Sequence, residues 1–393
     1  MAKFKDICTK IGSGATPKGG KEAYCEDGIS LIRSQNVLDF AFSAGGLAYI
    51  NELQAEKLKN VIVEEDDVLL NLTGDSVARA CIVHKKYLPA RVNQHVCIIR
   101  ADSSKAIPSY LLYYLQLNKE YLLQLASGGA TRNALTKDMI NNLELELPTI
   151  KEQQKVVAVL DDIQKKIDFN NAINENLLEQ ALTMYAIQFA ALDRNGCIGD
   201  YCSVKSGFAF KSSWWTTTGV KVIKIGSINQ DNMNLSECSY VDEDKINKAK
   251  DFKVNAGDLL IAMTGATIGK FAMVPYSSDT LLVNQRVGKF FLGNNPVEKL
   301  PFIYCTLKQP DVYYEIVNRG QGSAQPNISA SDIMSIPCVI PSKEAINKFN
   351  KTIQPLFDLI ISNQRENHHL STFRDSLLPK LMSGEIDVSK LDI

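Results

Sequence analysis

The sequence predicts an α/β (α+β) fold in which two similar mixed lobes are separated by two long antiparallel coiled-coil helices and related by an internal pseudo-twofold repeat. Three observations predict this architecture. Several segments recur in the same order about 190 residues apart, one heptad pattern occurs twice, and short β-branched runs fill the rest of each copy. A repeat of this length indicates that each copy is one structural unit.

The repeat is clearest in two strips of sequence. Residues 63–74 align with residues 254–265 at an offset of 191, and residues 143–148 align with residues 336–341 at an offset of 193. Of the 40 aligned positions around the first strip, 10 are identical. Because such matches recur in one order along the chain, they indicate a duplication rather than chance similarity.

Within each copy, short β-branched runs punctuated by Gly, Asn and Pro predict strands. One amphipathic helix is expected near residues 109–126. Its counterpart near residues 302–318 contains Pro310, which predicts a bend or a break at that point.

A heptad pattern predicts one long helix in residues 150–192 and another in residues 342–393, each after a proline. Pro355 predicts a kink or a delayed start of the second helix. An antiparallel pair that crosses at its midpoints sets two asparagines of one helix against two of the other, where paired amides would fix the register. The alternative is that these residues face solvent at the edge of the seam. They are Asn170, Asn174, Asn363 and Asn367.

These boundaries divide the chain into a first lobe (residues 1–149), a central helix (150–192), a second lobe (193–341), and a C-terminal helix and tail (342–393). The net charge of −1, from 43 basic and 44 acidic residues, excludes a uniformly basic coat protein, so any DNA-facing surface must be local. Nine scattered cysteines without a CxxC pair, no signal-like start and no long apolar run together favour a cytoplasmic protein.

Catalytic motifs are weak throughout the sequence. Residues 265–270 resemble a phosphate-binding loop but are one residue short, and residues 12–17 lack the third glycine of a dinucleotide fingerprint. Residues 294–297 are not the Asn-Pro-Pro-aromatic motif of an amino-methyltransferase. The four histidines lack metal-ligand spacing. We therefore expect no catalytic site, metal or cofactor on this chain.

Recognition chemistry remains, and it predicts candidate DNA contacts in both lobes. Thr73 and Thr264 align with each other, and so do the pairs Asn93-Gln94 and Asn284-Gln285, whose amides suit adenine but also stabilise turns. Two donor-rich loops add Arg132 with Asn133, and Gln325 with Asn327. The candidate cations, each of which has an ordinary solvated side chain as its alternative, are Arg33, Arg79, Lys85, Lys86, Arg91, Lys221, Lys224 and Lys270.

The chain resembles the specificity subunit of type I restriction–modification systems over essentially its whole length. The motifs that carry this resemblance recur in order, with the long helices between them. They are Ser13-Gly14-Ala-Thr-Pro17, Leu147-Pro148-Thr-Ile-Lys-Glu152-Gln153-Gln154, Gly257-Asp258-Leu-Leu-Ile-Ala-Met-Thr264-Gly265, Val283-Asn284-Gln285-Arg286-Val287, Gly320-Gln-Gly-Ser-Ala-Gln-Pro-Asn-Ile-Ser329 and Leu377-Leu378-Pro-Lys-Leu381-Met-Ser383-Gly384-Glu385-Ile386. The second copy departs from the pattern after Pro341, where Glu-Gln-Gln is missing.

The resemblance implies a non-catalytic reader of a bipartite DNA site. Each lobe would be a target-recognition domain for one half of that site, and the unequal lobes imply an asymmetric target. The helices would set the gap and dock two methyltransferase subunits, which carry S-adenosylmethionine. A motor–nuclease subunit would complete the restriction complex. Two alternatives stay open at this point, a stand-alone two-lobed enzyme and a protein–protein adaptor without a DNA role.

Overall fold

The computed structural model describes residues 1–128, 133–320 and 326–388. They form two compact units, one made of residues 1–165 together with those from 371 onward, the other of residues 166–370. Both units combine mixed β-sheets with helices, which confirms the α/β (α+β) fold class and the repeat predicted from the sequence.

The first unit contains short strands and mostly short helices. Its strands are β1 (Ala2–Lys3), β2 (Cys8–Ser13), β3 (Ile29–Ile32), β4 (Ala48–Ile50), β5 (Ile62–Val63), β6 (Val68–Asn71), β7 (Ala80–Ile82), β8 (Ala90–Val92), β9 (Val96–Ala101) and β10 (Glu144–Leu145). Its helices are α1 (Phe4–Ile7), α2 (Glu52–Lys57), α3 (Pro108–Leu117), α4 (Lys119–Ser127), α5 (Lys137–Asn141) and, up to residue 165, α6 (Ile150–Phe189). Short 3-10 helices lie at Gly20–Ala23, Ser34–Asn36, Lys59–Val61, Gly74–Ser76 and Lys85–Tyr87.

The second unit repeats this inventory with additions. Its strands are β11 (Gly196–Cys197), β12 (Ser203–Ser206), β13 (Trp215–Thr216), β14 (Val220–Ile223), β15 (Ile228–Asn229), β16 (Asn232–Met233), β17 (Ser239–Val241), β18 (Lys253–Val254), β19 (Leu259–Ala262), β20 (Phe271–Met273), β21 (Leu281–Val283), β22 (Val287–Phe291) and β23 (Pro337–Cys338). Its helices are the rest of α6, α7 (Ile198–Tyr201), α8 (Leu300–Leu307), α9 (Pro310–Gly320), α10 (Ala330–Met334) and, up to residue 370, α11 (Lys343–Met382). The 3-10 helices are Ser212–Trp214, Ile225–Ser227, Leu235–Glu237, Glu243–Lys248, Lys250–Phe252, Gly265–Thr267 and Pro296–Glu298.

The two lobes share one strand order. In the first lobe the sheets run β2-β9-β6-β7 and β4-β3-β8-β5, and in the second they run β12-β22-β19-β20 and β17-β14-β21-β18, with β13 added beside β17. The parallel pairs also correspond, because Ser30 lies opposite Ala90 in β3–β8 and Lys221 lies opposite Leu281 in β14–β21. The duplication detected in the sequence is therefore a duplication of topology.

The backbone repeats more closely than the side chains do. Phe40 and Asp231, at aligned turns, have φ values of 60° and 64°, and Ala78 and Gly269 have values of 68° and 81°. Left-handed backbone favours glycine, yet the first lobe places Phe and Ala there. The turns at Phe40 and Asp231 are held by matching hydrogen bonds. Phe40 N–H donates to the Ala80 carbonyl (2.9 Å) and Asp231 N–H to the Phe271 carbonyl (3.0 Å).

Three expectations about helices meet different outcomes. The single helix expected near residues 109–126 is interrupted at Asn118, which separates α3 from α4. The break expected at Pro310 is present, because α9 begins at that proline. Of the two outcomes expected from Pro355, a kink or a delayed start, the delayed start is wrong, since α11 begins at Lys343 and continues through Pro355. Both α6 and α11 have 40 residues, about 60 Å of helix at 1.5 Å per residue.

A buried amide fastens each long helix to the lobe beside it in sequence. In the first unit, fully buried Gln153 accepts from Ile107 N–H (2.9 Å) and donates to the carbonyls of Lys105 (3.0 Å) and Pro148 (2.9 Å). In the second unit, buried Asn350 accepts from Phe302 N–H at 2.9 Å. Both amides satisfy backbone N–H groups at the start of a helix, that of Ile107 just before α3 and that of Phe302 in the first turn of α8, which have no partner within the helix.

Candidate nucleic-acid interface

Three backbone segments meet beyond the end of β6 in the first lobe. The N–H of Leu72 donates to the His95 carbonyl (2.8 Å), the Leu72 carbonyl accepts from Leu135 N–H (2.8 Å), and Gly74 N–H donates to the Asn133 carbonyl (3.4 Å). We call this meeting point the first junction. It brings together three of the regions that carry predicted contacts, which are the Thr73 turn, the Asn93-Gln94 turn and the segment that contains Asn133.

The second lobe builds the same junction beyond the end of β19. Met263 N–H donates to the Arg286 carbonyl (3.0 Å), Ile328 N–H to the Met263 carbonyl (2.9 Å), and Gly265 N–H to the Pro326 carbonyl (3.0 Å). We call it the second junction. Every bond corresponds to one in the first lobe, so one backbone frame carries two different sets of side chains.

Asn93 and Asn284 act inside their junctions. The Asn93 Oδ1 accepts from His95 N–H (3.0 Å) and the Asn284 Oδ1 from Arg286 N–H (3.1 Å). Both side chains are buried. This geometry matches the turn-stabilising alternative for the two asparagines, whereas the neighbouring Gln94 and Gln285 are exposed.

A glycine allows each junction to close. Gly14 N–H donates to the Asn93 carbonyl (3.1 Å), and a Cβ at this position would lie 1.7 Å from the Val92 carbonyl oxygen. A Cβ on Gly207 would lie 2.4 Å from the Val283 carbonyl oxygen. No side chain fits at these separations, which explains why the Ser-Gly motif recurs in both copies.

Four cations of the first lobe remain near its surface with partners. Arg33 is half-buried and donates to the Gly46 carbonyl at 2.6 Å. Arg79 is half-buried and makes contacts of its own. Exposed Lys85 pairs with Glu65 at 3.1 Å, and Lys86 next to it stacks its ammonium on the Tyr87 ring at 5.0 Å.

Arg91 faces the interior rather than the predicted DNA-facing patch. Its guanidinium donates to the carbonyls of Ala55 (3.2 Å) and Ala90 (3.1 Å) within the first lobe. Only 8% of the residue is exposed, and this burial lowers the pKa of Arg91. Arg91 lies on β8, whose three residues are all buried and which pairs with strands on both sides.

The cations of the second lobe have other surroundings. The Lys224 ammonium lies 3.5 Å from the centre of the Trp215 ring, and its burial, with repulsion from Arg286, lowers the pKa of Lys224. Lys221 pairs with Asp279 at 2.7 Å. Lys270 is half-buried at the turn that follows the second junction. Arg33 and Lys224 occupy the same backbone position, each preceding a 3-10 turn, but contact different groups.

The remaining candidates lie on the loops and turns of the junctions. Asn133 and Asn327 are exposed, and Asn327 forms a β-bridge with Thr264. The Thr264 Oγ1 is buried and has no hydrogen bond partner among the described residues. Arg132 and Gln325 lie outside the described residues.

The asparagines of the long helices contact one another within the second unit. Asn170 Nδ2 donates to Asn367 Oδ1 (2.8 Å) and to Glu366 Oε2 (2.7 Å), and Asn363 Nδ2 donates to Asn174 Oδ1 (2.8 Å). The pairing is antiparallel, and Asn170 is 1% exposed. The hydrogen bond from Asn170, followed by the Lys166 ammonium, lowers the pKa of Glu366.

Sequence reasoning missed two residues of the first junction, His95 and Thr16. Thr73 Oγ1 lies 2.7 Å from His95 Nδ1, and Thr16 donates to the Gln94 amide oxygen. The only signal was position, because His95 follows the Asn-Gln pair directly and Thr16 belongs to the Ser-Gly motif.

Within the described ranges we find no group of three or more His, Cys, Asp or Glu residues arranged to hold a metal ion. Those ranges also contain no helix with the length and apolar character needed to cross a membrane.

Comparison with known proteins gives a consistent result. The family described as "Type I restriction modification DNA specificity domain" matches the chain twice, at residues 1–179 and 194–371. The type I restriction enzyme MjaIX specificity subunit of Methanocaldococcus jannaschii is 25% identical over 422 residues, covering 100% of this chain and 94% of that protein. The HindI specificity subunit of Haemophilus influenzae is 22% identical over 437 residues, covering 91% and 94%. The crystal structure of an S subunit from M. genitalium aligns over 97% of this chain and 95% of that one, with a TM-score of 0.48 and 16% identity.

Proposed function

The chain belongs to the type I restriction–modification DNA specificity family, and from that premise we propose that it is the non-catalytic subunit that reads a bipartite, asymmetric DNA site. The resemblance found in the sequence is thereby confirmed. In this proposal each lobe reads one half of the site, and adenine chemistry belongs to two methyltransferase partners that carry S-adenosylmethionine. The complex works in the cytoplasm, and a motor–nuclease subunit adds restriction.

One observation carries the proposal. The two junctions have the same backbone hydrogen bonds but present different side chains, with His95 in the first at the position of Arg286 in the second. Outside the junctions, Arg33 and Lys224 differ in the same way. A frame that is constant while its polar side chains vary suits a reader whose two halves recognise different bases. Gln94, Gln285, Asn133 and Asn327 are the exposed polar groups at these junctions.

Backbone phosphates would be contacted by cations near the junctions. Arg79 and Lys270 are our first choices, because they are half-buried and their carbonyls accept from Asn71 and Ala262 at the ends of β6 and β19 that lead into the junctions. Exposed Lys85, which lies toward the other end of β6, is a further candidate. Each phosphate contact adds about 0.9 to the slope of log binding constant against log salt concentration. Arg79→Ala should therefore weaken binding, reduce the salt slope and leave the second half-site unchanged.

The long helices would receive the methyltransferase subunits and set the register of the site. On α6, Phe169 and Ile173 are one turn apart and are 65% and 44% exposed. Apolar side chains exposed at this spacing suit a helix that packs against a partner. The asparagine pairs, with their buried amides, would fix how α6 and α11 align.

The test is a map of adenine methylation in cells that express this chain with the methyltransferase encoded beside it. We expect a gapped, asymmetric motif that disappears when this chain is omitted, and a change in one half of the motif when residues 1–149 are exchanged for those of a relative. Methylation without this chain would contradict the proposal. Methyl transfer or hydrolysis by the purified chain alone would favour a stand-alone enzyme, and a folded complex without any DNA effect would favour an adaptor.

A further inference from the structure

Four side chains of the first junction form one chain of hydrogen bonds. Thr73 Oγ1 lies 2.7 Å from His95 Nδ1, His95 Nε2 lies 3.0 Å from Gln94 Nε2, and the Thr16 hydroxyl donates to the Gln94 Oε1. The backbone bonds of the junction hold the three segments that carry these residues, since Gly14 and Leu72 are tied to the carbonyls of Asn93 and His95.

The direction of each hydrogen bond follows from the amide. In this orientation of the amide, Gln94 Nε2 donates to His95 Nε2, and the ring proton lies on Nδ1. That proton is donated to Thr73 Oγ1. At the other end, Gln94 Oε1 only accepts, so the hydroxyl of Thr16 is the donor. His95 and Thr16 therefore hold the two ends of one amide.

This arrangement leaves Gln94 with one free N–H and one free lone pair on its oxygen. The major-groove edge of adenine offers the complement, an acceptor at N7 and a donor at N6. An amide hydrogen-bonded at both ends has its plane held in place before a base approaches it. Gln94 is exposed, so its free groups are accessible.

The second junction lacks this arrangement. Gln285 is retained, but Arg286 replaces His95 and Ala209 replaces Thr16 at the aligned positions. The consequence is visible at Thr264, whose Oγ1 is buried without a hydrogen bond partner among the described residues, whereas the aligned Thr73 has His95. An arginine side chain has donors only and cannot accept from a glutamine Nε2.

We propose that His95 and Thr16 are positioning residues that hold the Gln94 amide in place for readout of an adenine in the half-site of the first lobe. This inference rests on the proposed function, because it requires that the lobe reads DNA. If Gln94 is held in this way, one base pair of that half-site should be strongly discriminated. We assign no such base pair to Gln285.

The experiment selects 40-base-pair duplexes with randomised positions on the full chain co-purified with its methyltransferase, followed by sequencing. Wild type should prefer adenine at one position of one half-site by about tenfold or more, as a bidentate amide contact gives. Thr16→Val and His95→Asn should reduce that preference several-fold. Thr16→Ser and His95→Gln, which retain the donor to Oε1 and the acceptor for Nε2, should preserve it.

The measured quantity is the base preference at one position of the site. A change confined to that position indicates a positioning role, whereas a folding defect would affect the whole half-site. The other positions of that half-site, the second half-site and the salt slope should be unchanged in Thr16→Val, and Arg286→Ala should leave the first half-site intact. Loss of the whole first half-site in both Thr16→Val and His95→Asn would overturn the inference in favour of a structural role, and so would an unchanged adenine preference in both. A wild-type complex that selects no motif would instead refute the proposed function itself.

Discussion

Replacing Gln153 by Ala should loosen the first unit by an amount that follows from its contacts. The substitution removes three hydrogen bonds and leaves the N–H of Ile107 and the carbonyls of Lys105 and Pro148 without that partner. Each such bond contributes about 0.5–1.5 kcal/mol net, and the higher helix propensity of Ala returns a few tenths. The free energy of unfolding of the first unit should therefore fall by about 2–4 kcal/mol.

Gln154→Ala is the matched control. Gln154 is the next residue of the same helical turn and is exposed, so the same change of side chain should alter stability by less than about 0.5 kcal/mol. Hydrogen exchange of peptides from α3 and from the start of α6, measured in increasing urea, reports the first unit. Tryptophan emission reports the second unit, because both tryptophans, Trp214 and Trp215, belong to it.

Two results would refute this reasoning. Equal losses in Gln153→Ala and Gln154→Ala would mean that the buried amide does not fasten the helix. A shift of the tryptophan midpoint as large as the loss in hydrogen exchange would mean that the effect is not confined to the first unit.

Three further predictions follow from the packing. Gly14→Ala should lower the melting temperature of the first unit by several degrees, because its Cβ would lie 1.7 Å from a carbonyl oxygen. Gly12→Ala, whose Cβ meets nothing within 4 Å, is the control and should not lower it. Equal melting curves of the two variants by circular dichroism would contradict this prediction. Asn363→Leu should cost about 1–3 kcal/mol by leaving the buried Asn174 amide unpaired, and Asn174→Leu combined with it should recover that loss; additive costs in a double-mutant cycle would argue against the pairing. Burial raises the pKa of the Asp161 carboxyl, so its contribution to stability is present below about pH 4 and is lost as pH rises through the raised folded pKa. Asp161→Asn should gain stability over wild type between pH 4 and 7, and parallel pH profiles would count against this assignment.

The repeat and its helices could be predicted because their signals are periodic. An offset of 191 or 193 and a heptad seam need no knowledge of tertiary structure, and they locate both lobes and both long helices. The Asn-Gln pairs were placed at an aligned site for the same reason. The sequence did not predict that Asn93 closes a turn while Gln94 is exposed, because this difference depends on which carbonyl and N–H groups come close in the folded chain.

The candidate contacts show where local sequence is insufficient. Arg91 follows Pro89 in a polar stretch and has the sequence features of a surface cation, but β8 lies between two other strands and turns its guanidinium inward. His95 carried no metal or catalytic spacing, so its contact with Thr73, 22 positions earlier, had no sequence signature. Side-chain partners that are distant in sequence are set by sheet order, which propensity does not encode.

The first unit draws its core from both ends of the chain. Phe4 and Ile7 are packed in the same apolar cluster as Leu378, Leu381 and Val388. A ribosome working from the amino terminus delivers Leu378, Leu381 and Val388 only after residues 166–370, which emerge as one uninterrupted stretch. Since domains generally fold as their segments become available, the unit encoded second has all its residues first. Emergence of residues 371–388, rather than of residue 165, therefore sets the moment at which the first unit becomes resistant to proteases.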